Sequence, residues 1–454
     1  MNLRTLHSIY FIGIGGIGMS GLARYFNLNG YKISGYDKTP SALTDEMMKE
    51  GMQIHFEEDI SMIPRDADLV VYTPAIPIDH KELVYYREHN FSVIKRSDLL
   101  EELTKDLFTI AVAGTHGKTT TSSMIAHILK SSGYDCTAFL GGITANYQTN
   151  FLAGKNKTVV VEADEFDRSF LKLHPDIAVI TSCDPDHLDI YGSKEEVQKS
   201  YADFTKKIKA GGTLITKREL SFPDRSAEHV STLHYALEGK EEDFSTENLR
   251  IENGTYAFDM VTASGMISNI HLSIAGRHNA ENAIAAAAVA VLLGIEGEKI
   301  RTALSTFKGV HRRFQFVMRS NSVIYIDDYA HHPAEIMAFL KSVREIFPGR
   351  KITCIFQPHL YTRTRDFAAG FAESLSLADE VILLPVYPAR ENPIEGVNSA
   401  MLLDSISAKE KRVVEKKDLV SELQNRNIEV LVTVGAGDID LFVEPIRRML
   451  EERK

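Results

Sequence analysis

The residues of this chain best suited to chemistry are Gly114-Thr115-His116-Gly117-Lys118-Thr119-Thr120-Thr121, set between an apolar run at 108–113 and a helical pattern. Glycines let backbone N–H groups close on phosphate oxygens, and the N-terminus of the following helix adds partial positive charge. Lys118 offers a point charge to terminal phosphates, and Thr119 offers a hydroxyl to Mg2+. The pattern predicts a nucleoside triphosphate site. It is shorter than the usual phosphate loop, because Val112 stands where that motif has its first glycine.

Two acidic clusters complement this loop. Glu162-Ala163-Asp164-Glu165 follows the apolar run 158–161, and Ser182-Cys183-Asp184-Pro185-Asp186-His187-Leu188-Asp189 follows the run 176–181. Mg2+ takes one or two carboxylates plus phosphate and water oxygens. Glu162, at the exit of a strand expected to neighbour the Lys118 strand, is the first carboxylate candidate. His187, with acids on both sides, would ligate a second divalent ion or stack on substrate, and both readings stay open.

A second glycine cluster, Gly13-Ile14-Gly15-Gly16-Ile17-Gly18, follows a strand pattern and has Asp37 about twenty residues on. Taken alone it reads as a dinucleotide fingerprint for NAD, with Asp37 on a ribose hydroxyl, or as glycines needed only for a tight turn. In either case the loop is a place for a pyrophosphate. The last third supplies the planar cations Arg312, Arg313, Arg363, Arg365 and Arg390. It also holds Asp327-Asp328-Tyr329-Ala330-His331-His332-Pro333 and Gln357-Pro358-His359. The histidine pair is a metal site, a general acid/base pair or simply a helix start.

These residues need elements that bring them to one edge. Strand patterns at 8–13, 31–36, 68–73 and 92–95 alternate with helical stretches, and so do those at 323–327, 351–356, 380–384 and 429–434. Alternation of this kind predicts parallel sheets with right-handed crossovers, whose C-terminal edge is where ligands bind. The fold class is therefore α/β, with three domains that each carry a largely parallel Rossmann-like sheet. Their expected bounds are 1–106, 107–311 (the phosphate-loop ATPase type) and 312–454. The polar span 216–271 reads as hairpins at the rim, and 279–293 as a buried alanine-rich helix.

Composition narrows the function. A length of 454 residues suits about three domains, and 44% hydrophobic with 25% charged residues is ordinary globular material. A net charge of −11 argues against non-specific nucleic-acid binding. The three scattered cysteines fit a reducing cytoplasm, the N-terminus lacks signal-peptide architecture, and the longest apolar stretch is too short for membrane insertion. Two phosphate sites and a cation-rich third domain imply an enzyme that joins substrates. A hydride-transfer enzyme would leave the Lys118 loop unused. A non-catalytic nucleotide sensor would leave the clusters of the last third unused.

The chain resembles the Mur ligases of bacterial cell-wall synthesis over essentially its whole length. The resemblance rests on the 114–121 loop, Glu162-Ala-Asp-Glu165, Asp186-His-Leu-Asp189, Gly276-Arg-His-Asn279, Asp327-Asp-Tyr-Ala-His-His-Pro333 and Phe356-Gln-Pro-His359. It is nearest the branch that couples L-alanine to UDP-N-acetylmuramate at the expense of ATP, through an acyl phosphate. That resemblance implies that Gly15, Gly16, Gly18, Asp37 and Thr73 hold the UDP-sugar, not NAD. It implies ATP on Gly114, Thr115, His116, Gly117, Lys118, Thr119 and Thr120, with Asn279 and Asn282 near adenine and Arg313 and Asp328 reaching the nucleotide from the last domain. It assigns Mg2+ to Thr119, Glu162 and His187, and the amino acid to Tyr329, His331, His359 and Arg363. Lys118, His187, His331 and Arg363 are the implied catalytic set.

Two departures matter. Leu360 stands where some relatives carry an arginine. Tyr201 stands where later-acting Mur ligases carry a carbamoylated lysine, a lysine that the alanine-adding branch also lacks. A peptide-recycling ligase acting on the same UDP-sugar is the alternative activity. The expected assembly is a monomer or weak homodimer in the cytoplasm, serving cell shape and division through the wall.

Overall fold

The computed structural model describes residues 3–186, 188–220, 222, 229–239, 242–389 and 391–453. The chain divides into two compact units. One comprises Met1–Glu247, Met260–Ser268 and Asn282–Leu304, and the other Asn248–Asp259, Asn269–Glu281 and Ser305–Lys454.

The first unit carries two parallel sheets. In the first sheet, β1 (Ser8–Ile12), β2 (Lys32–Tyr36), β3 (Gln53–His55), β4 (Leu69–Tyr72) and β5 (Val93–Lys95) lie in the order β3-β2-β1-β4-β5, all parallel. β1 is central, and Ile9, Tyr10, Phe11 and Ile12 are buried, which is why its run is apolar on both faces. Its exit is the glycine loop, so the 13–18 cluster falls at the carboxyl edge between β2 and β4.

The second sheet is built from β6 (Phe108–Ala113), β7 (Thr137–Thr144), β8 (Thr149–Leu152), β9 (Thr158–Glu162), β10 (Ile177–Ile180), β11 (Thr213–Thr216) and β12 (Ser231–His234). Their order is β12-β11-β10-β6-β9-β7-β8, and only the β7–β8 hairpin is antiparallel. β6 lies between β9 and β10, so the exits of both acid-bearing strands flank the Lys118 loop. The register sets Val112 opposite Glu162 and Ala113 opposite Ile180. The span 216–271 is not all hairpin: β12 joins β11 in parallel as an edge strand. Its short, part-exposed Ser-Thr-Leu-His run carries no apolar signal that would reveal this. The hairpin expectation does describe β13 (Phe244–Glu252), β14 (Thr255–Thr262) and β15 (Gly265–His271), a separate sheet in that order.

The helix Ile17–Leu28 leaves the first glycine loop and packs on β7 and β8. Tyr25 meets Phe139 edge-on at 5.8 Å, and Arg24 donates to Thr149 at 2.8 Å. Asn150 donates to the Ile17 carbonyl and to Ser20, at 2.6 and 2.9 Å. Lys95 pairs with Asp167 at 3.0 Å, and Lys172 pairs with Asp98.

The second unit contains β16 (Gln315–Arg319), β17 (Ile324–Asp328), β18 (Ile352–Phe356), β19 (Glu380–Leu383), β20 (Glu410–Val413) and β21 (Val430–Val434). The order is β16-β17-β21-β18-β19-β20, parallel except for β16. The chain walks from β17 to β20 and then returns to insert β21 between β17 and β18. That reversal gathers the exits at Asp328, Val434 and Phe356, as in other open sheets that bind ligands where strand order reverses. The alanine-rich helix spans Arg277–Leu292, and no helix among the described residues is long and apolar enough to cross a membrane.

Candidate functional site

The Lys118 loop is fixed by the segment that leaves β10 beside it. Thr115 N–H donates to the Ser182 carbonyl at 3.3 Å, His116 N–H to Ser182 Oγ at 2.8 Å, and Thr115 Oγ1 to the Asp184 carbonyl at 2.7 Å. Gly114 has φ +135°, and a Cβ there would overlap Thr181 Oγ1 and lie 2.9 Å from Ser182 N. Gly117 begins the helix Lys118–Ser132 with φ +82°, and a Cβ there would lie 2.6 Å from Asn282 Oδ1. The first helical N–H bond is Thr121 to the Gly117 carbonyl, which leaves the first-turn N–H groups without an intrahelical acceptor, as an anion site requires. The N–H groups of Thr115 and His116 are instead spent on tying the loop to Ser182.

Lys118 Nζ donates to the Gly114 carbonyl at 2.7 Å and to both carboxylate oxygens of Glu165, at 2.8 and 2.7 Å. Burial alone would lower the ammonium pKa. The carboxylates of Glu165, Asp164 and Glu162 outweigh that and push it up, so Lys118 is charged. The role of Glu165 is not legible in the acidic motif, because a partner 47 residues away leaves no local signal. Thr119 Oγ1 lies 3.0 Å from Glu162 Oε1, and Glu162 Oε2 accepts the Gly141 N–H at 2.9 Å. The hydroxyl and carboxylate expected at a Mg2+ therefore meet beside the loop. This is an all-oxygen pair suited to a hard cation that completes its shell with phosphate and water. Among the described residues no group of three or more His, Cys, Asp or Glu is arranged to hold a metal by itself. His187 lies outside the described residues.

The first glycine loop is equally constrained. Gly13 and Ile14 donate to the Tyr36 carbonyl at 2.7 and 3.0 Å. Asp37 turns its carboxylate inward, accepting the Gly15 N–H at 2.8 Å and the Thr39 N–H at 3.1 Å. A side chain at Gly13 would meet Thr73 Cγ2 at 2.8 Å, and one at Gly15 would meet Thr44 Cγ2 at 2.8 Å and Asp37. Gly16 caps the helix Ile17–Leu28 in an extended conformation. A Cβ at Gly18 would lie 2.7 Å from an Arg96 guanidinium nitrogen. The Arg96 guanidinium forms no hydrogen bond or ion pair with another described residue. It went unremarked in the sequence, although a cation directly after the strand at 93–95 is the signal that would have found it.

In the second unit, Asp327 and Asp328 divide the work. Asp327 is tied to Arg312 Nε at 3.1 Å and to Thr433 at 2.6 Å. Asp328 accepts the N–H groups of Phe314 and Ala330 at 2.7 and 2.8 Å. Burial pushes the Asp328 carboxyl up to about 6, against the opposing pull of Arg313 and those N–H groups. Arg312 and Arg313 stack on the Tyr329 ring, 5.2 and 5.0 Å from its centre. His332 is a helix start: it caps Pro333–Ile346, its Nδ1 accepting the Ala334 N–H. His331 instead turns to the strand edge, with its ring 6.0 Å from His359, which stacks on Tyr387 at 5.6 Å. Gln357, buried below, bonds Asp438 at 2.7 Å, and Asp438 holds Lys416.

The structure thus gathers Arg313, Asp328, Tyr329, His331 and His359 at one edge. Arg363 is buried in the short helix Tyr361–Asp366 that follows Leu360, where φ is +70°. Asn279 belongs to this second unit and donates to the Ala275 carbonyl at 2.6 Å, whereas Asn282 sits against Gly117 in the first. Arg390 lies outside the described residues.

Three family models match the chain in succession: the Mur ligase family catalytic domain over residues 8–107, the Mur ligase middle domain over 112–290, and the Mur ligase glutamate ligase domain over 312–439. UDP-N-acetylmuramate–L-alanine ligase of Flavobacterium johnsoniae is 49% identical over 457 residues, covering 100% of both chains. The crystal structure of UDP-N-acetylmuramate–alanine ligase from Thermotoga maritima superposes with a TM-score of 0.82 at 30% identity, covering 98% of this chain and 100% of that one. A murein peptide ligase from Psychrobacter arcticus shares the fold at a TM-score of 0.71 and 22% identity, covering 98% of each. Domain order, near-complete coverage and the two glycine loops at strand exits agree, and the chain belongs to the Mur ligase family.

Proposed function

We propose that this chain joins the amine of L-alanine to the lactyl carboxylate of UDP-N-acetylmuramate while converting ATP to ADP and phosphate, as a step of peptidoglycan precursor synthesis. The observation that carries the reading is the phosphate loop with Lys118 at its centre and Thr119 against Glu162 beside it, in a chain 49% identical to a ligase of that name. A carboxylate is a poor acylating agent. Its oxygen attacks the γ-phosphorus and ADP departs, which leaves an acyl phosphate. The alanine nitrogen then attacks the carbonyl carbon, inorganic phosphate leaves, and the amine proton is released.

Lys118 and the N–H groups of the first turn offset charge on the transferring phosphoryl, where positioning and electrostatics dominate. Thr119, Glu162 and His187 would hold Mg2+, which when bound neutralises phosphate charge. Gly114–Thr120, Asn279, Asn282, Arg313 and Asp328 are assigned to the nucleotide. Gly15, Gly16, Gly18, Asp37 and Thr73 are assigned to the UDP-sugar, and Arg96 supplies its pyrophosphate with a guanidinium. Tyr329, His331, His359 and Arg363 are assigned to the amino acid and the acyl end, with Arg363 pairing the alanine carboxylate bidentately. The domains divide at 1–106, 107–311 and 312–454, and the protein works in the cytoplasm.

The test is phosphate release with ATP, Mg2+ and UDP-N-acetylmuramate, offering L-alanine, L-serine, glycine or a murein peptide. Turnover is expected with L-alanine and lost in Lys118→Ala. Turnover only with the peptide would establish the recycling alternative, and ATP binding without turnover on any acceptor would establish the sensor.

A further inference from the structure

Lys118 has no unused hydrogen-bonding capacity. Its ammonium carries three protons, and the Gly114 carbonyl and two Glu165 oxygens sit within 2.8 Å of it. Glu165 is buried, at 4% exposed, and Lys118 is largely covered, at 13%. Glu165 is itself anchored, since Tyr191 donates its hydroxyl to the Glu165 carbonyl at 2.6 Å. A planar, doubly hydrogen-bonded anion thus occupies the lysine that a phosphate loop aims at terminal phosphates.

We infer that Glu165 is a stand-in for the terminal phosphates: it holds Lys118 aimed when no nucleotide is bound, and it must yield at least one hydrogen bond to a triphosphate. The inference rests on the nucleotide reading of the Lys118 loop. Two consequences follow from the physics. An ammonium buried without a counter-anion is costly, so Glu165 stabilises the nucleotide-free loop. The same carboxylate competes with phosphate for Lys118 and repels it, so Glu165 weakens nucleotide affinity. It is a positioning residue whose removal trades stability of the nucleotide-free protein for tighter binding.

The experiment measures Kd for ATP, ADP and AMP by calorimetry, with and without Mg2+ and with no other substrate, in the unaltered chain, Glu165→Gln and Lys118→Ala. Glu165→Gln keeps the shape and removes the charge. Its Kd for ATP is expected to fall about tenfold, while AMP, which lacks the outer phosphates, binds as before. The KM for ATP falls with it, and kcat does not rise. The melting temperature without nucleotide drops, and ATP restores more of it than in the unaltered chain. If the glutamine variant fails to fold, Glu165→Asp, which keeps the charge but shortens its reach, is expected to tighten ATP less than tenfold and leave AMP unchanged. An unchanged or weaker ATP Kd in the folded variant, with or without Mg2+, overturns the inference while leaving the nucleotide reading intact. Equal ATP affinity in Lys118→Ala and the unaltered chain overturns both.

Discussion

Gly114 allows the most quantitative test of the phosphate loop. We predict that Gly114→Ala destabilises the first unit by about 2–6 kcal/mol, from two sources. Holding a residue with a side chain at φ +135° costs about 1–3 kcal/mol. The new methyl group also overlaps Thr181 Oγ1 and presses on the Ser182 and Thr181 nitrogens, at 2.9 and 3.0 Å. Overpacking of this kind adds about 1–3 kcal/mol. Neither nitrogen can step aside, because Thr181 N–H is bonded to the Ala113 carbonyl at 3.0 Å and both residues follow directly on β10, at the exit that ties the loop down.

Gly117→Ala is the internal comparison. At φ +82° the strain is about 1–2 kcal/mol, and the nearest atom is the movable end of the Asn282 side chain. At about 2–4 °C per kcal/mol for a domain of this size, Gly114→Ala lowers the melting temperature by at least about 4 °C, and more than Gly117→Ala does. If the loop instead moves to relieve the clash, the loss appears as ATP affinity. Adding Thr181→Ala removes the hydroxyl overlap but neither the dihedral strain nor the backbone contacts, so it restores only part. Scanning fluorimetry and calorimetric ATP titration on the unaltered chain and the three variants decide the matter. A Gly114→Ala protein that melts within 1 °C of the unaltered chain and binds ATP equally would refute the argument.

Further predictions concern the first sheet. Glu82 is fully buried and accepts the Tyr10 hydroxyl at 2.7 Å, and burial raises its pKa from 4.5 to about 7. Below pH 4.5 it is protonated whether folded or unfolded and costs nothing. As pH rises to 7 the unfolded chain ionises first and stability falls, by about 3 kcal/mol at most. Glu82→Gln should therefore raise the melting temperature at pH 8 and much less at pH 5, and an equal gain at both values would sink this account. Arg96→Ala should raise the KM for UDP-N-acetylmuramate about tenfold or more, with ATP affinity unchanged. Arg96→Lys should recover only part, because an ammonium lacks the planar fork. A normal sugar-nucleotide KM in Arg96→Ala would remove Arg96 from that site.

Some of the site is legible because its information is local. Apolar runs such as 108–113 and 158–161 must be buried strands, and charged residues, Lys118 and Glu162, sit beyond their exits. Helix starts are local too: Pro333 and Glu335 make His332 a cap, one of the readings the residues left open. The short strands β3 and β12 escape notice because three or four residues with polar members carry no periodic signal.

The sequence alone determined the class of sheet, the carboxyl-edge location of the chemistry and the family, since strand exits and loop glycines are properties of contiguous residues. Only the tertiary structure decided who meets whom. Sheet order put Glu162 beside Thr119 and Glu165 on Lys118, chain reversal put His331 beside His359, and crossover packing put Arg96 beneath Gly18. The reason is physical. A strand's apolar pattern says that it is buried and which way it runs, but not which neighbour it pairs with. That choice is made by side chains packing across the whole sheet, and hydrogen-bond partners 40 to 80 residues apart inherit it.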